Sequence, residues 1–249
     1  MIHFEGGSQM KTLWNQIKFQ KDLYLTGGLV MLGMYVFGMI LHDFLVLGDD
    51  EVTGVLCIGS MMAMIAFGMM MFFFAGIHMV QTFNYAVAMG QTRKRMFPMY
   101  TAATLVTFLV LGIFMKVLNV LEELRLRLMF PGLEIENFME PVLRVPYLLA
   151  FALVGTAFGM LLGASISRFG KTAFWVWWVV FMVICIGGPR LFHYLTDYYA
   201  DSRMTAFVVR VIELAVEHAH AFSAVLVIAV TIIFTGVAYL MVRRQQVNV

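Results

Sequence analysis

Six stretches of this chain are long and apolar enough to cross a lipid bilayer, and that repetition limits the fold more than any motif does. A spanning helix needs about 20 mostly apolar residues, and in hydrocarbon only a helix or a closed barrel satisfies its own backbone. The stretches cover residues 23–47, 54–82, 98–121, 145–167, 172–191 and 218–242. Of the 249 residues, 61% are hydrophobic and 13% charged, and a water-soluble domain carries about twice that charged share. The expected fold is an all-α integral membrane domain of six helices spanning residues 1–249. The second stretch, at about 1.5 Å per residue, reaches about 43 Å and should tilt or project beyond the bilayer.

Lysine and arginine placement sets the orientation. With the N-terminus inside, Lys11, Lys18, Lys21, Arg93, Lys94, Arg95, Arg168, Lys171, Arg243 and Arg244 are all cytoplasmic. Most acids fall on the other side, among them Asp49, Asp50, Glu51, Glu122, Glu123, Glu134, Glu136 and Glu140. Six crossings then leave both termini inside. The net charge of +2 follows this sidedness and implies no nucleic-acid partner. Trp175, Trp177 and Trp178 at the inner start of the fifth span, with Tyr194, Tyr198 and Tyr199 past its outer end, fit the headgroup preference of amphipathic rings. Gly187-Gly188-Pro189 should end that helix.

Outside the spans, Met10, Leu13, Trp14 and Ile17 share one helical face across 9–22, with Lys11, Asn15 and Lys18 on another. A basic amphipathic stretch beside a membrane reads as an interfacial helix. Residues 122–144, with Pro131 and Pro141, and residues 192–217 are expected as extracytoplasmic segments. Along the fourth span, Gly155, Gly159, Gly163 and Ser167 repeat at every fourth position. Small residues in lipid let two backbones approach, so this stripe reads as a helix-packing seam within one subunit or between two.

No residue pattern points to chemistry in this chain. Cys57 and Cys185 sit singly in apolar runs and read as buried thiols. Lys116 reads as a snorkelling cation near an outer span end. His42 and Asp43 are placed to pair, and His78 lies toward the inner end of the second span. His218 and His220, two apart, do not share a helix face. Glu122-Glu123-Leu-Arg-Leu-Arg127 matches the acidic string of intramembrane CAAX-type proteases. The one Phe-x-x-x-His, Phe74 to His78, lies upstream and on the other membrane face, so the metal and base that such an enzyme needs are missing. No Gly-x-x-x-x-Gly-Lys-Ser/Thr loop occurs. The expectation is a chain with no enzymatic activity, no catalytic residue, no metal site and no cofactor of its own.

One segment exceeds what a turn requires. Phe83-Asn84-Tyr85-Ala-Val-Ala-Met89-Gly90-Gln-Thr92-Arg93-Lys94-Arg95-Met-Phe97 lies between the second and third spans, amphipathic with a basic tip. Its small residues, glycine, Thr-Arg-Lys and closing aromatic resemble the cytoplasmic segment of small six-span ABC-2-type permeases of Gram-positive bacteria. The resemblance extends to length, span number and sidedness. It implies a permease subunit of an ABC exporter in the bacterial plasma membrane. That subunit would pair with a second, identical or paralogous permease and dock on ATPase subunits that hold ATP and Mg. It makes 83–97 the coupling helix, with Phe83, Asn84, Met89, Gly90, Thr92, Arg93, Lys94, Arg95 and Phe97 as the docking residues. It makes 9–22 the interfacial connecting helix. A non-transporting immunity or regulatory protein on the same scaffold is the alternative.

Overall fold

The computed structural model describes residues 18, 20–46, 54–88, 92–183, 187 and 219–243. Five of its helices are long and apolar enough to cross a membrane: Lys21–Val46, Ile58–Tyr85, Met96–Met129, Val145–Phe169 and Ala224–Arg243. Lys171–Met182 is apolar but shorter. The chain is therefore a helical, membrane-embedded protein. In order, the elements are α1 (Lys21–Val46), β1 (Gly54–Leu56), α2 (Ile58–Met69), a π-helical segment (Met70–Phe74), α3 (Ala75–Ala88), α4 (Arg93–Met129), β2 (Glu134–Glu136), α5 (Val145–Phe169), α6 (Lys171–Met182) and α7 (Ala219–Arg243).

Several boundaries differ from the hydropathy reading, each for a local reason. The second span starts at Ile58, because residues 54–56 pair as a strand with 134–136 in parallel register, Val55 opposite Ile135. Glu-Ile-Glu alternates at period two, the strand signature, within a segment expected as loop. The third helix runs 37 residues from Arg93 to Met129, about 55 Å against a hydrocarbon core of about 30 Å. Pro98 lies inside it rather than at its start. Proline removes the bond to the carbonyl four residues back, here that of exposed Lys94 in the first turn. Residues 122–129, the start of the segment expected as extracytoplasmic, are the last two turns of α4.

α5 is the hub of the bundle, packing on α3, α4, α6, α7 and the π segment. The glycine stripe explains how. A Cβ on Gly155 would lie 2.8 Å from Met71 Sδ, one on Gly159 2.9 Å from Ala75 Cβ, and one on Gly163 2.6 Å from Met79 Sδ. Both numberings advance together, so α3 and α5 run parallel. Gly76 answers from the other side, with a would-be Cβ 2.8 Å from Leu162 Cγ. The seam therefore joins two helices of one chain, and the intersubunit alternative falls away for these three glycines. Ser167 is half-buried at the end of the stripe. A second close approach, with a Cβ on Gly38 at 2.7 Å from Gly59 Cα, presses α1 onto α2.

The π segment carries Met70-Met-Phe-Phe-Phe74. Its wider turn sends Phe72 onto Phe158 (ring centroids 4.9 Å) and Phe73 onto Trp178 (5.0 Å) and Phe181 (5.1 Å). Trp177 packs edge-on against Phe158. Two of the three tryptophans expected at the headgroup level thus fill helix–helix space, and Trp175 alone of them is exposed. The interior holds two buried clusters, and Met71 of the π segment belongs to the first. One buried cluster gathers Met31, Phe67, Phe108 and Met115 from α1, α2 and α4. The other gathers Met79, Phe83, Phe97, Tyr100, Met160 and Ala238 from α3, α4, α5 and α7.

Candidate functional site

Two ends of the bundle are chemically distinct. Lys18, Lys21, Lys94, Arg168, Lys171 and Arg243 are exposed at one, hereafter the basic end. Glu123, Glu134, Glu136 and Glu140 lie at the other, with Arg125, Arg127 and Arg144 among them.

At the basic end, the described parts of 83–97 belong to the two flanking helices. Residues 83–88 are the last turns of α3 and 93–97 the first of α4. Thr92, extended at ψ 137°, precedes the second helix. Met89 and Gly90 lie outside the described residues, as do the side chains of Arg93 and Arg95. The described side chains split sharply. Asn84, Tyr85, Thr92 and Lys94 are exposed. Phe83 and Phe97 are each 4% exposed and Met96 3%. Phe97 meets Tyr239 of α7 at 5.6 Å between ring centroids. Phe83 and Phe97, expected to enter a partner's pockets, are instead consumed by the chain's own core. Hydropathy alone cannot separate these two uses, since both need an apolar side chain.

A hydrogen-bonded network lies behind this turn. His78 Nδ1 meets Tyr100 Oη at 2.9 Å and Thr82 Oγ1 at 3.3 Å. Gln20, fully buried, donates from Nε2 to Thr104 Oγ1 at 3.2 Å and accepts at Oε1 from Thr107 Oγ1 at 3.1 Å. Buried polar groups are costly unless paired. This network satisfies them with partners from the α1 entrance, α3 and α4. Beside it opens a cavity of about 760 Å³ lined by Lys18, Lys21, Asp22, Tyr24, His78 and Tyr85, with Thr82 on its wall. A second cavity, about 340 Å³, is lined by Thr92, Lys94, Tyr239, Val242 and Arg243.

The acidic end is closed by a device that the hydropathy reading does not contain. Glu122 has no exposed surface, and its two oxygens accept from the backbone N–H groups of Gly59 (2.7 Å) and Ser60 (2.6 Å). Those donors belong to the first turn of α2, which has no side-chain cap of its own. An anionic acceptor from α4 therefore neutralises the positive end of another helix. Next to it Arg125 Nη2 donates to both carboxylate oxygens of Asp43, and His42 Nδ1 lies 3.2 Å from Asp43 Oδ1. The expected His42–Asp43 pair is present, with Arg125 as an unforeseen third member. Burial pushes the Cys57 thiol up to about 12, reinforced by the charges of Glu122 and Glu123.

Lys116 is exposed on α4. His218 and His220 lie outside the described side chains, as do residues 192–217 and all of 9–17. Among the described residues, no three His, Cys, Asp or Glu side chains are grouped to hold a metal ion. No protein-family model matches the chain, and no curated protein or solved structure gives a significant match.

Proposed function

We propose that this chain is the permease subunit of an ABC exporter in a bacterial plasma membrane, with the basic end cytoplasmic and the Ala88–Arg93 connection as the docking point for a separate ATPase. The observation that carries the reading is mechanical. The turn exposes Asn84, Tyr85, Thr92 and Lys94, while Phe83, Met96 and Phe97 directly behind it are locked into the cluster shared by α3, α4, α5 and α7. A surface backed this way transmits displacement instead of bending. A closing ATPase dimer that pushed the turn would shift α3, and through the glycine seam α5, with little slack.

In this mechanism the partner chains bind ATP and Mg and do the hydrolysis. The exposed Lys94, with Arg93 and Arg95 of the same basic run, presents positive charge to an acidic cleft of the ATPase. Phe83 and Phe97 serve as backing, not contact. The π segment is the hinge, since it separates α2, held by α1 and the Glu122 cap, from α3, held by α5. π-Bulges recur at sites of function and rearrangement. Six crossings require the region around α6 to complete the fifth span. A second permease copy would complete the passage, and membrane lipids surround both.

The test is purification in mild detergent followed by reconstitution. The expected result is a co-purifying ATPase whose hydrolysis responds to substrate in the native complex. Gly90→Trp or Lys94→Glu should abolish that response while leaving the permease folded. Isolation of the chain free of any ATPase, or unchanged coupling in both variants, overturns the reading.

A further inference from the structure

We propose that the 760 Å³ cavity at the basic end is a binding site for the phosphate of an anionic phospholipid headgroup.

Its position comes first. The cavity is built from residues 18–24 at the start of α1 and 78–85 at the end of α3. These are matching ends of two apolar spans, Lys21–Val46 and Ile58–Tyr85. A cavity there opens at headgroup depth, not in the hydrocarbon and not in open water. Tyr24 and Tyr85 line it, and tyrosine prefers that interfacial layer.

Its chemistry selects the ligand. Among its described lining residues, Lys18 and Lys21 contribute two ammonium groups and Asp22 one carboxylate. A phosphodiester brings the negative charge that two lysines favour, and an anionic lipid carries no choline ammonium to offset it. His78 adds direction. Its Nδ1 is engaged by Tyr100 and Thr82. Tyr100 Oη also donates to the Ala75 carbonyl oxygen at 3.4 Å, and Nε2 is the ring nitrogen left over. The Gln20–Thr104–Thr107 network behind it uses its own groups on one another. The cavity floor is thereby polar, suited to a charged group and unsuited to an acyl chain. The proposal holds whether or not an ATPase docks at the neighbouring turn.

The experiment is native mass spectrometry of the purified full chain. It is mixed in turn with phosphatidylglycerol, with phosphatidylcholine bearing the same acyl chains, and with inorganic phosphate alone. The expected result is that phosphatidylglycerol is retained about tenfold over phosphatidylcholine and that millimolar inorganic phosphate does not displace it. Lys18→Ala and Lys21→Ala should each lower retention about fivefold, the size expected for one lysine near an anionic headgroup. Lys171→Ala, at the same end but outside the cavity, should lower it less than twofold. Should Lys21→Ala reduce the melting temperature without lipid, Lys21→Arg replaces it and should keep retention. Equal retention of the two lipids overturns the proposal. So does an equal effect of Lys171→Ala, which would mean general attraction to charge. Displacement by inorganic phosphate would assign the cavity to a free phosphate ester and overturn the lipid assignment. Loss of retention in Lys21→Arg also overturns it.

Discussion

The two ends of this bundle handle buried polarity in opposite ways. At the acidic end a carboxylate with no exposed surface, Glu122, is spent on backbone N–H groups of another helix, and Asp43 and Arg125 close beside it. At the basic end His78, Tyr100, Thr82 and Gln20 make a neutral network that borders an open cavity. A charged cap in a low-dielectric setting holds two helices in one relative position, because any separation strands the charge and its donors together. A network of hydroxyls, an amide and an imidazole can exchange partners, and it sits where a ligand can reach it. The acidic end therefore acts as the fixed support and the basic end as the working face.

The largest expected effect breaks the fixed end. Glu122→Ala leaves the N–H groups of Gly59 and Ser60 without their acceptor, at about 1–3 kcal/mol for each buried donor. Thermal unfolding in detergent should show a drop of roughly 5–20 °C, taking about 2–4 °C per kcal/mol. Glu122→Gln, which keeps one acceptor oxygen and loses the charge, should fall between that variant and wild type. A melting temperature for Glu122→Ala within about 2 °C of wild type would remove the distinction between the ends.

Next in size is the seam that links the two halves. A Cβ at Gly163 would approach Met79 Sδ to 2.6 Å and the Gly76 carbonyl oxygen to 2.9 Å. The sulfur can swing away and the carbonyl cannot. Gly163→Leu should cost about 1–3 kcal/mol by overpacking, seen as lower thermal stability and greater proteolysis near α3. Gly236→Leu is the matched control, since nothing lies within 4 Å of a Cβ there, and it should be close to neutral.

Tyr100→Phe probes the working face. The ring is fully buried and its hydroxyl meets His78 Nδ1. The hydroxyl also reaches the Ala75 carbonyl oxygen at a long 3.4 Å, and loss of these neutral contacts should cost about 1 kcal/mol, below the Glu122 effect. If the two variants were equally damaging, the basic end would be as fixed as the acidic end, and the hinge assigned to the π segment would have no mobile half.

What hydropathy could and could not reveal follows the same division. Apolar length located the five long helices, and four-residue spacing located the glycine seam, because both are one-dimensional signals. Hydropathy ends the third span before Glu122 because charge ends a hydropathy window. Yet Leu118, Glu122 and Leu126, at spacing four, are 3%, 0% and 0% exposed, so the buried stripe of α4 continues straight through the carboxylate. That periodicity was readable, whereas the partner of the carboxylate was not. Gly59 and Ser60 are 63 and 62 residues away, and nothing local specifies the pairing. The same limit applies at the turn. An apolar residue at position 83 or 97 fits a partner's pocket or the chain's own core equally well in sequence, and only the placement of α5 and α7 decides between them.

The smallest effect concerns Cys57, which adjoins the fixed end. It lies between β1 and α2, with 2% of its surface exposed, and burial holds its thiol up to about 12. An unfolded cysteine ionises near 8.5. The folded-state value is the higher one, so the stability tied to this thiol is fully present below about pH 8.5 and is lost as the pH climbs from there toward 12. Alkylation needs the thiolate. In a Cys185→Ser background, maleimide labelling of the folded protein should stay far slower than that of a free thiol at both pH 7 and pH 9, because at pH 9 the thiolate is about 0.1% of the folded population against about three quarters of a free thiol. Glu122→Ala should then raise the labelling rate at both pH values, because loosening the start of α2 exposes the sulfur. Rapid labelling of the parent at pH 9 would show that the acidic end opens readily, and the contrast between a fixed and a working end would fail at the place where it is most directly measured.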